Sequence, residues 1–378
     1  MQFKAYRIST AGRGLALALS LVLAACASND RPQPAPLEPV VAHIGVRQAW
    51  TAAIGPVDFA LDVRVVGNTA YVADAAGTVA AIHTDTGADV WRTSLATPLS
   101  AGVGSDGRYV AVVTRTNDLV VLDAGKEIWR QHLSALTMTA PLVAGARVFT
   151  ASADRTVAAF DAATGRKLWQ QARSGDPLVL GQSGLLLAVQ DTLVLGSAGR
   201  VVGMNPLNGA SRWETPAANS RGTNEVERLV DVVAGYSRQG DQICVRAFQY
   251  AVTCLDGVSG KSLWSKPANG ATGVTGDAAT VFATEADGRV LAFARANGNK
   301  LWESERLRRR QLTTPVLAGN TLVFGDDSGN LHFVSRQDGA QLNRMFTDSS
   351  GLAVAPVLAD KTLIVVSRRG GIFAYRPE

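Results

Sequence analysis

Beyond residue 45 the chain is a succession of short apolar or alternating segments, each cut after a few residues by glycine, aspartate or asparagine. Around Trp169 the order is Arg147 to Ala151, a turn at Asp154-Arg155, Val157 to Asp161, a second turn at Thr164-Gly165, then Lys167 to Trp169. The same order reaches Trp91 through Ala70 to Ala73, Gly77, Val79 to Ile82 and Thr86-Gly87. It reaches Trp302 through Thr280 to Ala283, Asp287-Gly288, Val290 to Phe293 and Asn297-Gly298. Segments of this length, with glycine where a tight turn needs positive φ, predict strand–turn–strand units and not helices.

Seven tryptophans mark the period. They stand at 50, 91, 129, 169, 213, 264 and 302, separated by 41, 38, 40, 44, 51 and 38 residues. A period near 40 filled by strands is that of propeller blades. Two further units end without tryptophan. One runs from Thr321 to Asn343, which lies 41 residues after Trp302, where an indole was due; the other runs from Lys361 to Tyr375 and lacks its last strand. Conversely, Val46 to Trp50 is a last strand without a unit. The prediction is an all-β fold, an eight-bladed β-propeller of four-stranded antiparallel blades over residues 46–378, about 42 residues per blade, with the N-terminal strand closing the ring. Closure removes unpaired sheet edges between the first and last units. Each tryptophan is expected to lay its flat face on a glycine-containing turn of the next blade. Its burial would contribute about 2–3 kcal/mol, and its N–H needs a partner.

Composition supports a folded body, with 47% hydrophobic and 18% charged residues and 37 glycines against 14 prolines. The formal charge of +5 shrinks once the first 25 residues are set aside, because Lys4, Arg7 and Arg13 leave 34 basic against 32 acidic residues. Nothing in that balance calls for a nucleic acid as partner. The one dense basic run, Arg306 to Arg310 broken by Leu307, reads as a solvated loop between repeats.

Residues 1–25 read as a signal peptide, with the basic residues first and a short apolar stretch from Gly14 to Ala25. The stretch ends Leu23-Ala24-Ala25-Cys26, which resembles the bacterial lipobox. That resemblance implies lipidation of Cys26, whose thiol carries the diacyl group. Several acyl chains on one residue anchor firmly, at roughly 0.8 kcal/mol per buried methylene. Ala27 in place of aspartate implies, by the enterobacterial sorting rule, export to the outer membrane. Residues 26–45, with Pro32, Pro34, Pro36 and Pro39, read as an extended tether holding the body off the bilayer.

The remaining cysteines, Cys244 and Cys254, are ten apart and symmetric about Gln249. A hairpin turning at Phe248 to Tyr250 would set them opposite one another, either as a disulfide or as two buried thiols. No cofactor or metal site stands out. His43, His83, His132 and His332 fall at different repeat phases, and Asp326-Asp327, the best carboxylate pair, reads as a turn.

The repeat, in outline Ala-x-Asp-x-x-Thr-Gly-x-x-x-Trp, covers essentially the whole body and resembles the PQQ-like repeat. With the lipobox and the length, the chain resembles the PQQ-like-repeat lipoproteins of the outer-membrane β-barrel assembly (BAM) complex. The resemblance implies a non-enzymatic scaffold, lipid-anchored on the periplasmic face of the outer membrane. It would bind the POTRA domains of BamA, with unfolded outer-membrane-protein strands as a further class of partner. The family contacts BamA through Leu-x-Leu-Arg and Arg-Leu-x-Asp-x-Asp. Here the first reads Leu178-Val179-Leu180-Gly181 and the second Arg228-Leu229-Val230-Asp231-Val232-Val233. The implied contact residues are therefore Leu178, Leu180, Arg228, Leu229 and Asp231, while Gly181 and Val233 depart from the pattern. Both segments lie where the repeat is stretched, which is where a regular scaffold tends to carry function. The alternative is a PQQ-dependent periplasmic dehydrogenase, which shares the repeat. Several of those enzymes carry adjacent cysteines on the quinone, and no two cysteines are adjacent here.

Overall fold

A computed structural model describes residues 33–175, 179–218 and 230–378, and those residues form strands and turns with no helix. The strands assemble into eight antiparallel sheets, each built from four consecutive strands except the last. Blade 1 is Arg64–Val66, Thr69–Ala73, Thr78–His83 and Asp89–Ser94; blade 5, for comparison, is Ser237–Gln239, Gln242–Ala247, Ala251–Asp256 and Ser262–Pro267. Blade 2 gains a short parallel partner, Ala60–Leu61, beside its first strand. The first strands of neighbouring blades touch around the ring, so they line the axis and the fourth strands form the rim. The eighth blade takes its first three strands from the C-terminus and its fourth, Val46–Ala53, from the N-terminus, with Val46 opposite Pro377 and Ala53 opposite Gly371.

The tryptophans sit on the fourth strands, and each meets the glycine of the following blade. At Gly87, Gly125, Gly165, Gly209, Gly260, Gly298 and Gly339 an added Cβ would lie less than 3 Å from the indole of Trp50, Trp91, Trp129, Trp169, Trp213, Trp264 and Trp302 respectively. The same glycines have φ between +72° and +78°, so the turn and the close approach both require them. The indole N–H of Trp50, Trp129, Trp169, Trp213, Trp264 and Trp302 donates to a carbonyl of the next blade's turn at 2.6–3.0 Å. Turn aspartates bind their own backbone, as Asp161 does with the Thr164 amide at 2.9 Å and Asp256 with Ser259 at 2.7 Å.

Every fourth strand is bulged just before the tryptophan position. Ala49, Val90, Ile128, Leu168, Arg212, Leu263, Leu301 and Leu342 are each skipped in the pairing register. The bulge twists each outward edge and makes it a poor template for another strand.

Asn343 occupies the tryptophan position in blade 7. The next blade has no closed turn there, because the strands Gly371–Pro377 and Val46–Ala53 come from opposite chain ends. The Asn343 side-chain amide donates instead to the Ile44 carbonyl at 2.9 Å. Cys244 and Cys254 are directly opposed in adjacent strands, disulfide-bonded and fully buried against Trp264.

Residues 33–45 lie on the body, although the sequence reads them as part of a free tether. The Ala35 amide donates to Arg308 O at 3.0 Å, Leu37 packs on the core of blades 6 and 7, and the His43 amide donates to Leu342 O at 2.8 Å.

Candidate functional site

Alternating strand direction puts two kinds of connection on opposite faces of the disc. The turns that hold the indoles lie on one face. The turns between second and third strands, and the loops from one blade to the next, lie on the other, here called the upper face. Both sequence segments singled out for partner contact are blade-to-blade loops of the upper face. The first precedes Leu186–Val189 of blade 4 and the second precedes Ser237–Gln239 of blade 5.

Asp231 brings these loops together. Its Oδ2 accepts the Leu180 amide at 3.2 Å, and its Oδ1 accepts Arg155 Nη1 at 2.8 Å. Both charged side chains of the pair are mostly buried, at 10% and 14% exposure, so it is screened less than a surface pair. Leu180 is half-buried at the edge of a small cavity of about 70 Å³ that Arg155, Gln182, Asp231 and Val233 also line. Leu178, Arg228 and Leu229 lie outside the described residues, as does Cys26.

Backbone hydrogen bonds hold this corner. The Leu185 amide donates to Val232 O at 3.1 Å, Ala234 to Ser183 O at 2.9 Å, Val233 to Arg246 O at 3.0 Å and Phe248 to Asp231 O at 2.9 Å. Thr139 of the loop into blade 3 accepts the Gly184 amide at 3.0 Å. Val232 and Val233 are buried, so Val233, which stands where the family pattern has a second aspartate, works as core. Beneath it Arg246 is wholly buried and paired with Glu285 at 3.0 Å. Burial pulls the Arg246 guanidinium below its ordinary range, and Glu285 opposes that pull.

Arg155, Thr139 and the Arg246–Glu285 pair were not among the residues picked from the sequence. Arg155 has φ +63° in the turn between the second and third strands of blade 3, where blades 1, 6, 7 and 8 carry Gly77, Gly288, Gly329 and Gly370 and blades 2, 4 and 5 carry Asn117, Ala198 and Gln249, all at positive φ, so nothing local singles it out.

Next to this corner the upper mouth of the axial channel opens, about 610 Å³, between Asp62, Gln182, Tyr236, Thr272 and Thr314. Asp62 is exposed at the mouth. The protein around it raises its carboxyl above the usual range, with Arg64 pulling the other way. Asp326 and Asp327 lie at the turn between the second and third strands of blade 7. Asp326 is saturated by Arg310 at 3.2 Å, His332 at 3.1 Å and Asn330 at 3.0 Å. Burial opposes its charge, but the hydrogen bonds with His332 and Asn330 prevail and hold it at about 2. Among the described residues no group of three or more His, Cys, Asp or Glu converges as metal ligands do.

Comparison with known proteins adds to this geometry. Residues 75–304 match the family model described as outer membrane protein assembly factor BamB. The chain is 37% identical to the outer membrane protein assembly factor BamB of Burkholderia pseudomallei, over 93% of this chain and 94% of that one. The crystal structure of BamB from Moraxella catarrhalis superposes with a TM-score of 0.79 at 23% identity, over 88% of this chain and 99% of that one. A quinohemoprotein alcohol dehydrogenase from Comamonas testosteroni shares the fold at a TM-score of 0.68 and 15% identity, over 90% of this chain and 78% of that one.

Proposed function

The chain belongs to the family of outer membrane protein assembly factor BamB, and from that premise we propose that it is a non-enzymatic scaffold of the BAM complex, lipid-anchored through Cys26 on the periplasmic face of the outer membrane. Residues 1–25 are its signal peptide, residues 26–45 link the lipid to the body, and the propeller of residues 46–378 docks on the POTRA domains of BamA. The docking corner is the upper face of blades 3 to 5, with Leu178, Leu180, Arg228, Leu229 and Asp231 as its contact residues.

The observation that carries this reading is the convergence at Asp231. Two blade-to-blade loops longer than the repeat needs, meeting at Leu180 and Asp231, 51 residues apart in sequence, are tied by one carboxylate on a backbone-braced corner. Leu180, held at the lip of a small cavity, is placed to fill an apolar pocket of the partner. The partners are ranked by the rim. Bulged fourth strands disfavour capture of extended substrate strands at the edges, so docking on a folded domain is the principal activity, and unfolded outer-membrane-protein strands are secondary.

The test is co-purification of BamA with a chain carrying Leu178→Ala, Leu180→Ala and Asp231→Ala, with circular dichroism to confirm the propeller. Capture should fall by at least tenfold with the fold intact; undiminished capture would remove the site. Arg155→Ala should weaken capture too, and the double variant with Asp231→Ala should lose less than the sum of the two single losses, because both remove the same pair.

A further inference from the structure

The N-terminal segment leaves the body at a defined place. Residues 33–45 run from the lower end of blade 7, where Asn343 holds Ile44, to the upper face, where the Arg306 to Arg310 loop connects blades 6 and 7. At that upper end Ala35 is held twice. Its amide donates to Arg308 O at 3.0 Å, and its carbonyl accepts Arg310 Nη2 at 2.9 Å. Arg310 is itself buried and bound to Asp326, so this attachment reaches the interior polar network of blade 7. A third tie joins Glu38 to Arg306 at 2.7 Å.

The basic loop is built so that its charges face outward. Leu307 and Arg310 are buried and fix it, while Arg306, Arg308 and Arg309 are exposed. The facing acids are Glu38, on Arg306, and Glu305, 3.4 Å from Arg308. Both pairs are more than half exposed, and such pairs are weak enough to exchange partners. Arg344 lines the same groove as Arg306 beneath the strap. Four arginines against two glutamates leave this corner positive.

Chain length then places the corner. Six residues separate Gln33 from Cys26, and even fully extended the seven steps span at most about 25 Å. We infer that the Arg306, Arg308 and Arg309 loop faces the bilayer that receives the Cys26 lipid, and that its guanidinium groups contact the phosphates of anionic phospholipid headgroups. This deepens the reading above and rests on its lipid anchor. The strap thereby sets the orientation of the disc. Blades 6 and 7 of the upper face turn toward the membrane, and the Leu180–Asp231 corner on blades 3 to 5 stays open to a partner.

The test uses the full lipidated chain, reconstituted in vesicles of phosphatidylethanolamine with phosphatidylglycerol. Arg308→Cys and, separately, Arg108→Cys in the lower-face turn between the first two strands of blade 2 carry a fluorophore; Cys244 and Cys254 are disulfide-bonded and buried, hence unlabelled. Among the described residues the Arg308 side chain is paired only with Glu305, at an exposed contact, so its replacement should leave the fold intact. A lipid with a nitroxide headgroup should quench the probe at 308 severalfold more than the probe at 108. Adding Arg306→Glu and Arg309→Glu, or replacing phosphatidylglycerol by phosphatidylcholine, should reduce that difference at least twofold. Equal quenching at 308 and 108 on vesicle-bound protein would overturn the inference and leave the anchor standing. Protein that does not stay on vesicles would overturn the anchor and this orientation with it.

Discussion

Seven of the seams between blades are closed alike, and the eighth is not. From Trp50 on Gly87 round to Trp302 on Gly339, an indole covers a glycine turn. Between blades 7 and 8 an asparagine reaches one carbonyl, and an apolar cavity of about 400 Å³ opens beside it among Ile44, Val46, Phe333, Leu358, Leu363 and Tyr375. Burial there pushes the Tyr375 hydroxyl up to about 12. The difference follows from the chain ends. A ring closed by a strand from the other terminus has no third-to-fourth turn at that point, hence no glycine for an indole to cover. The eighth seam relies instead on the Asn343 amide and on Ile44 and Val46, which pack with Phe333 of blade 7 and Leu363 and Tyr375 of blade 8.

The contrast can be broken most severely at an indole seam. Trp264→Ala removes a side chain that is 8% exposed, packs on Phe293 and donates to Arg295 O. A loss of about 3–5 kcal/mol is expected, read as a lowered urea midpoint. Acid should act next, and on the eighth seam's side. The Asp326 carboxyl is held at about 2, below its unfolded value of 3.8, so its contribution is present above pH 4 and is lost as pH falls from 4 toward 2. That loss is on the order of 2 kcal/mol. Because Asp326 holds Arg310, and Arg310 holds Ala35, amide protection at Ala35 and His43 should fall over this range before protection in the strands around Trp264 does. The smallest effect is expected at Asn343→Ala. It removes one hydrogen bond across the seam, to Ile44 O, worth about 1 kcal/mol, and a local one that its Oδ1 accepts from the Arg344 amide, from a seam that has no indole to lose. A cost equal to that of Trp264→Ala would show that the eighth seam is closed as tightly as the others.

Much of the candidate site was legible, but for indirect reasons. The loops before blades 4 and 5 stood out because they break the period, and Leu180 and Asp231 stood out by resemblance to a family motif. What ties them did not stand out. Arg155 lies in a blade 3 turn that the repeat itself demands, and because that left-handed position holds glycine in four blades and another residue in the rest, nothing local marks it. Gly181 and Val233 looked like gaps in the motif. The structure puts Val233 into the core and supplies a cation to Asp231 from another blade.

Local rules carried the architecture. Strand length, turn glycines and a tryptophan every 40 residues or so are properties of contiguous sequence, and a blade is a contiguous meander, so eight blades and the closing strand could be counted before any coordinates existed. The polar contacts could not be counted that way. Asp231 with Arg155, Ala35 with Arg310 and Asn343 with Ile44 join residues 76, 275 and 299 positions apart. No period relates such residues, and a carboxylate or guanidinium in a loop accepts any partner of opposite sign. Closing the ring selects the partner, because only then are the loops of different blades brought within hydrogen-bonding distance.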